Sequence, residues 1–257
     1  MKDSILFVMI YTLIRKEVVR ILRIWPQSIF PSCITMTLYF LIFGEILGNK
    51  IGLMDGVNYV EFITPGLIIM AVVNNAYTNV VSSFYGARFN LSIQELLVSP
   101  IGNHTIIIGF VSGGMFRSLI VGILVCLIAG VFGGLDISHP LLFCGVMISC
   151  SFLFSLGGLL NGIFSQSFDD ITIFPTFILT PLVYLGGTFY SLTLLSNPWY
   201  TIASFNPLFY IVDLFRFSSL GFSEFNPLFS FSVIIIFCVI LYSIVIYCLN
   251  NGIRLKT

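Results

Sequence analysis

Charge is what this chain has least of. Only 9% of its 257 residues are charged, against about 25% in an ordinary soluble domain, and no Asp, Glu, Lys or Arg occurs from residue 171 to residue 212. With 58% of the residues hydrophobic, so few charges cannot cover a water-soluble surface, and the composition is that of a polytopic membrane protein. Histidine is limited to His104 and His139. The six cysteines (Cys33, Cys126, Cys144, Cys150, Cys238, Cys248) form no CxxC pair and fall in or at the ends of apolar runs, where they read as small packing residues, so neither a metal centre nor a disulfide framework is expected. There is no Gly-x-x-x-x-Gly-Lys-Ser/Thr loop to cradle a nucleotide phosphate. With a formal net charge of zero, no nucleic-acid partner is expected either. The basic cluster follows the apolar stretch from Ile5 to Leu13, the reverse of a cleaved signal peptide, so the N terminus is expected to be retained.

What is present is a series of apolar runs: Ile24 to Gly44, Phe62 to Ala87, about Phe110 to Leu135, Pro140 to Phe168, part of Ile171 to Val212, and Phe225 to Cys248. Lys2, Arg15, Lys16, Arg20 and Arg23 precede the first run, and Arg254 and Lys256 follow the last. By the positive-inside tendency both termini are cytoplasmic and the number of crossings is even. Glu45, Lys50, Asp55, Glu61, Asp136 and His139 then fall outside, and Arg88, Glu95, Asp169 and Asp170 inside. Of the eleven Lys and Arg residues, only Lys50 and Arg216 are left on the outer side. Two sequons, at Asn90 and Asn103, lie on the cytoplasmic side of this topology and would escape glycosylation.

The uncharged stretch is broken by Pro175, Pro181, Gly186, Gly187, Pro198 and Pro207. It is too long for one crossing of about 20 residues, and parity requires it to cross an odd number of times. The expectation is one full helix over 171–187, then two short re-entrant helices around Pro198 and Pro207, with Asp213, Arg216 and Glu224 on the outer face. Irregular backbone at this depth must be covered by protein or face a water-filled cavity. Arg117, inside the third run, either snorkels to the inner headgroups or pairs with another helix; the alternative is a substrate contact.

Two elements are expected at the cytoplasmic face. From Ile10 to Trp25 the residues Ile10, Leu13, Ile14, Val18, Ile21, Leu22 and Trp25 recur at helical spacing, opposite Arg15, Lys16, Arg20 and Arg23. This is an amphipathic surface helix, suited to anionic headgroups or to a protein partner, and Glu17 at the edge of its apolar arc favours the partner. In the second element, residues 88–100, Ser92 and Glu95 have capping-box spacing, Leu91 and Leu96 have that of a hydrophobic staple, and Pro100 closes the segment. The spacing predicts a two-turn helix from Ile93 that offers Ile93, Leu96 and Leu97, flanked by Arg88 and Glu95, to a groove elsewhere.

The run Phe177-Ile-Leu-Thr-Pro-Leu-Val-Tyr-Leu-Gly-Gly-Thr-Phe-Tyr-Ser-Leu192, followed by Asn206-Pro-Leu-Phe-Tyr210, Asp213 and Arg216, resembles the signature of ABC-2 type permeases, and within them the YadH-like bacterial branch. Pro65-Gly66, Glu95-Leu-Leu-Val-Ser-Pro100 and Leu159-Leu-Asn161-Gly162 support it, and the resemblance covers essentially the whole chain, residues 1–257, as one transmembrane domain. It implies an all-α fold with six spans, an N-terminal interface helix (10–25), a cytoplasmic coupling helix (88–100) and a re-entrant outer segment (188–212). It implies a homodimer in the bacterial inner membrane, joined to two copies of a separate ATPase subunit that binds ATP and Mg, and no cofactor in this chain. Residues that the resemblance places at the ATPase-coupling interface are Arg15, Lys16, Glu17, Arg20, Arg88, Ile93, Glu95, Leu96, Leu97 and Pro100. Those of the signature and outer gate are Pro181, Gly186, Gly187, Phe189, Tyr190, Asn206, Pro207, Asp213 and Arg216. It implies export of an amphipathic or lipid-linked molecule or a drug. Among the abundant aromatics, Tyr39, Tyr77, Phe84, Tyr184, Phe189 and Tyr190 are candidates to line such a path, against the commoner role of aromatics in filling helix interfaces and interfacial belts.

Two rival classes fit less well. A lipid-modifying enzyme would need a third carboxylate near Asp169 and Asp170 for a divalent ion, and the next acid is Asp213; the pair instead suits a helix N-terminus. An ion-coupled carrier or channel would place acids or histidines at mid-membrane, where the spans carry almost none.

Overall fold

The structure is a computed structural model that describes residues 2–191 and 194–254, with side chains from Phe7 onward except Asn49. Leu192 of the signature run and Lys256 of the basic C-terminal end lie outside the described residues. Chain order gives α1 (Lys2–Arg23), α2 (Trp25–Leu47), a short hairpin of β1 (Leu53–Met54) and β2 (Val57–Asn58), α3 (Tyr59–Phe89), α4 (Ser92–Val98), α5 (Asn103–Val131) and α6 (Pro140–Phe164). The chain continues with α7 (Asp170–Leu185), α8 (Trp199–Ser204), α9 (Pro207–Leu220) and α10 (Pro227–Asn250). Five helices, α2, α3, α5, α6 and α10, are long and apolar enough to cross a membrane. The 16 residues of α7 rise about 24 Å, a little short of the hydrocarbon layer. α2 widens to π-helical turns over Phe40–Leu47, and α7 over Pro175–Leu179, where a proline removes a backbone donor.

The buried helix at the centre is α3, which packs along α5 and α6. Small residues make this possible, as expected where no water drives helices together. A Cβ on Gly158 of α6 would stand 2.5 Å from the Tyr77 carbonyl oxygen of α3, so the two backbones approach to a distance that only glycine permits.

The two ends of the bundle differ. One, the basic end, carries α1, α4 and the C-terminal ends of α6 and α10. Arg88 donates to the carbonyls of Gly162, Ile163 and Ser165 at 2.7–2.9 Å, and Arg254 donates to that of Phe164 at 2.7 Å. Both cations thus close the C-terminal end of α6, where a helix leaves carbonyls without partners. The opposite end carries the hairpin, the α5–α6 loop and the α9–α10 loop.

Prolines mark where the uncharged segment restarts as helix. The sequence Asn-Pro-Leu-Phe occurs twice, at 206–209 and 226–229, and does the same work each time. The Asn side chain accepts the N–H of the Leu two residues on, at 3.0 Å, and Pro occupies the first helical position, where its missing donor costs nothing. The second copy gives α10 its start, a signal the run pattern alone does not use. α9 then differs from expectation in length and burial. It is 14 residues long and packs against α3, α6 and α10, and its end sits under the α5–α6 loop, where Ser138 and His139 N–H donate to the carbonyls of Ser219 and Ser218.

Candidate functional site

At the basic end, α1 lies against α5 in a groove made by Gly109 and Gly113. A Cβ at either position would come within 2.8 Å of the Cβ of Leu13 or Glu17. The buried stripe of α1 is therefore Leu13, Glu17 and Ile21, four residues apart, with a carboxylate at its centre. Glu17 is only 3% exposed. It accepts from Ser83 Oγ of α3 at 2.8 Å and from Arg20 Nη2 at 2.8 Å, and Arg20 donates on to Asn79 at 3.0 Å. This corrects the expectation for Glu17: its carboxylate is spent inside the chain, fixing α1 to α3 and α5, and is not offered to a partner. Arg15 and Lys16 are exposed, with Arg20 partly so, and Leu22 and Trp25 of the apolar arc are exposed as well. The signal that would have found this site is the four-residue spacing of Gly109 and Gly113, the close-packing pattern of membrane helices.

The loss of Glu17 should be measurable. Glu17→Ala removes the acceptor of Ser83 and leaves Arg20 with Asn79 alone, a cost of about 1–3 kcal/mol. The expected result is that trypsin cuts after Arg15, Lys16 and Arg20 faster in the variant, while cleavage after Arg254 is unchanged.

In the second element the predicted capping box does not form. α4 begins at Ser92, whose hydroxyl donates to the Ala87 carbonyl at 3.2 Å, and the residue before it, Leu91, has φ +60°. The left-handed residue turns the chain so that Ile93 points into the core cluster that holds Phe84, Ile106 and Ile107. Ile93 is thus an anchor, not the expected knob, and Leu96 and Leu97 are half-buried against the same cluster. Arg88 is committed to the α6 carbonyls. What projects is Leu91, Gln94, Glu95, Val98 and Pro100, with Val98 at 88% exposure. Leu91, expected in a hydrophobic staple with Leu96, is instead exposed, as is Val98, because helical spacing alone cannot tell which apolar face is anchored.

Arg117 resolves as pairing: its Nη2 donates to the Ser28 carbonyl at 2.7 Å, joining α5 to the turn at the start of α2. Beside it, Ser32 and Asn75 exchange a hydrogen bond at 3.1–3.2 Å between α2 and α3.

At the opposite end the signature residues converge. Gly187, at φ +74°, turns the chain after α7 so that Thr188 lies on Gly66 of α3; a Cβ on Gly66 would be 2.6 Å from the Thr188 carbonyl oxygen and 2.7 Å from its Cα. Pro65-Gly66 and Gly186-Gly187 are thus two halves of one contact. Asn206 donates to the Leu182 carbonyl at 2.6 Å while capping α9. Asp213 and Arg216, expected on the outer face, are fully buried in α9. The Arg216 guanidinium stacks 4.0 Å from the Phe62 ring centroid, donates to the Gly187 carbonyl at 2.7 Å and lies 4.0 Å from Glu224. Asp213 accepts the Glu224 N–H at 2.8 Å, and Ser191 donates to the Glu224 carboxylate at 2.8 Å. Pro207 opens α9, whereas Pro181 is exposed on α7. The arrangement ties α3, the turn after α7, α9 and the α9–α10 loop into one block.

Of the aromatic candidates, Tyr77 and Phe84 are buried in the core, and Tyr190 packs against Ala203 and Phe209. Tyr39, Tyr184 and Phe189 come together with Phe43 on the side shared by α2 and α7, the two hydroxyls 2.9 Å apart and ring centroids 4.8–5.9 Å apart. Among the described residues no group of His, Cys, Asp or Glu could hold a metal ion.

Residues 9–220 match the family model described as ABC-2 type transporter. The chain is 47% identical over 242 residues, 94% of each sequence, to the protein named inner membrane transport permease YadH of Escherichia coli strain K12, and equally so to that of Shigella flexneri. It is 23% identical over 195 residues, 76% of this chain and 75% of the other, to nodulation protein J of Rhizobium leguminosarum bv. viciae.

Proposed function

The chain belongs to the ABC-2 type transporter family, as a multi-pass membrane permease, and from that premise we propose that it is the transport subunit of an exporter driven by a separate ATPase. Two copies of the permease form the path and two ATPase subunits, binding ATP and Mg, sit at the basic end. Both termini are cytoplasmic in the bacterial inner membrane, α7 is the sixth crossing, and α8 and α9 return from the outer side. The cargo is amphipathic, a lipid-linked molecule or a drug, and it passes along the aromatic side of Tyr39, Tyr184 and Phe189, which faces the second permease.

The observation that carries this reading is how the two surface elements at the basic end are held. α1 is fixed by Leu13 and Glu17 to α5 and α3, and α4 by Ile93 to the core cluster that α3 and α5 share. Each still presents unpaired surface: Arg15 and Lys16 on one, Glu95 and Val98 on the other. A partner that pulls on either element therefore moves α3 and α5 directly. Closure of the ATPase pair shifts the permease only through contacts that differ between ATP states, since a partner bound equally to both conformations shifts neither.

Val98→Asp tests this with little risk to the fold, because Val98 makes almost no contact of its own. Placing a carboxylate in an apolar docked contact costs about 1–3 kcal/mol. The expected result is unchanged membrane insertion with about tenfold weaker co-purification of the ATPase and loss of cargo-stimulated ATP hydrolysis. Wild-type coupling in the variant would overturn the docking role of α4.

A further inference from the structure

A cavity of about 370 Å³ lies between α3, α6, α7, α9 and α10, apart from both surfaces described above. Its side chains are apolar except Tyr77 and Asn161. Asn161 already donates to the Ile171 carbonyl and accepts from Ser165. The Tyr77 side chain is only 1% exposed, and its hydroxyl is turned toward Asn161 and closed off from the space. Water needs two to four polar partners to stay in such a space, so the occupant is apolar where it meets these walls.

The shape and placement narrow it further. From Phe164 at the basic end to Leu153, the α6 wall runs about 16 Å, half the thickness of the hydrocarbon layer. Pro207, at the N-terminal end of α9, lines it too. Its side is open, for α7 and α10 make no extended contact with each other, and Phe164, Phe174 and Phe237 stand exposed in its lining. At the basic end, Arg254 lies over the Phe164 ring at 5.5 Å and bonds its carbonyl, a cation at headgroup level, close to the start of α7 at Asp170.

We infer that this cavity is a phospholipid site. One acyl chain from the leaflet at the basic end runs up the α6 wall to Leu153 and Pro207, and its phosphate lies beside Arg254. The site is separate from the cargo path and does not depend on the identity of the cargo or of the ATPase.

The test uses the full chain in vesicles of phosphatidylglycerol and phosphatidylcholine that carry photoreactive groups at either end of an acyl chain. A group at the chain terminus is expected to label peptides around Leu153, Pro207 and Phe237, and a group next to the ester to label residues 161–174. Lipid that merely surrounds the protein would label Leu127 and Val131, both exposed on α5, as strongly as the cavity, and that result would overturn the site. A Cβ on Gly157 meets only the Tyr77 ring, at 3.7 Å, so Gly157→Phe can extend into the space. It is expected to cut cavity labelling about tenfold, the equivalent of two methylenes left unburied, with α5 labelling unchanged. Equal cavity labelling in Gly157→Phe would also refute the site; if that variant fails to insert, the wild-type label map decides.

Discussion

Arg216→Ala is expected to cost about 3–5 kcal/mol, the largest single-residue effect in this protein, because it removes a fully buried cation from beside carboxylates that remain. Arg216 is 0% exposed and its guanidinium spans four elements: Phe62 of α3, the Gly187 carbonyl after α7, its own helix α9, and Glu224 in the loop before α10. Without it, Asp213 and Glu224 stay in the block with no cation between them, and the Gly187 carbonyl loses its donor. The measurement is the unfolding midpoint of the purified protein in a mixed detergent titration. Arg216→Lys should recover only part of the loss, since an ammonium lacks the planar surface that stacks on Phe62. Pairing Arg216→Met with Glu224→Gln should recover more, because a buried ion pair is replaced at lower cost than it is broken. Equal midpoints for Arg216→Ala and wild type would show that the cluster contributes nothing to holding the outer block together.

Gly66→Ala is the second large effect, and here the chemistry added is one methyl group. The new Cβ would be 2.6 Å from the Thr188 carbonyl oxygen and 2.7 Å from the Thr188 Cα. Both are backbone atoms, so no side-chain rotation relieves the clash; either α3 or the turn after α7 must move. Overpacking of this kind costs about 1–3 kcal/mol, and the movement falls on the turn that carries Gly187, whose carbonyl accepts from Arg216. The expected outcome is therefore coupled: a lower unfolding midpoint together with increased labelling of a cysteine placed at Tyr200 by a water-soluble reagent. A control, Gly86→Ala, has open space around its Cβ and should change neither reading.

The recurrence of apolar runs set the number and order of the long helices, because a bilayer imposes on each crossing a minimum apolar length that is visible without any partner. The prolines at 198, 207 and 227 stand where helices restart, because proline suits the first helical turn, whereas Pro65, Pro175 and Pro181 lie inside helices. The segregation of basic residues set which ends lie together. The fold class and the family were legible from these patterns and from the signature run.

What the sequence left open was which side of each short helix is anchored. Glu17 and Ile93 read as surface residues because α1 and α4 carry apolar and polar residues on more than one face, and periodicity cannot choose between them. For α1 the choice was made by residues far away in sequence, Gly109 and Gly113, which open a groove that takes Leu13 and Glu17; for α4 it was made locally, where a left-handed Leu91 turns Ile93 inward. Asp213 and Arg216 read as an outer pair for the same reason, since only the packing of α9 between α3, α6 and α10 supplies the Phe62 ring and the Gly187 carbonyl that make a buried guanidinium tolerable. Local pattern fixes what a helix is. Whether a charge on it faces water or a carbonyl is settled by contacts between segments distant in sequence, such as Glu17 with Ser83 and Arg216 with Phe62.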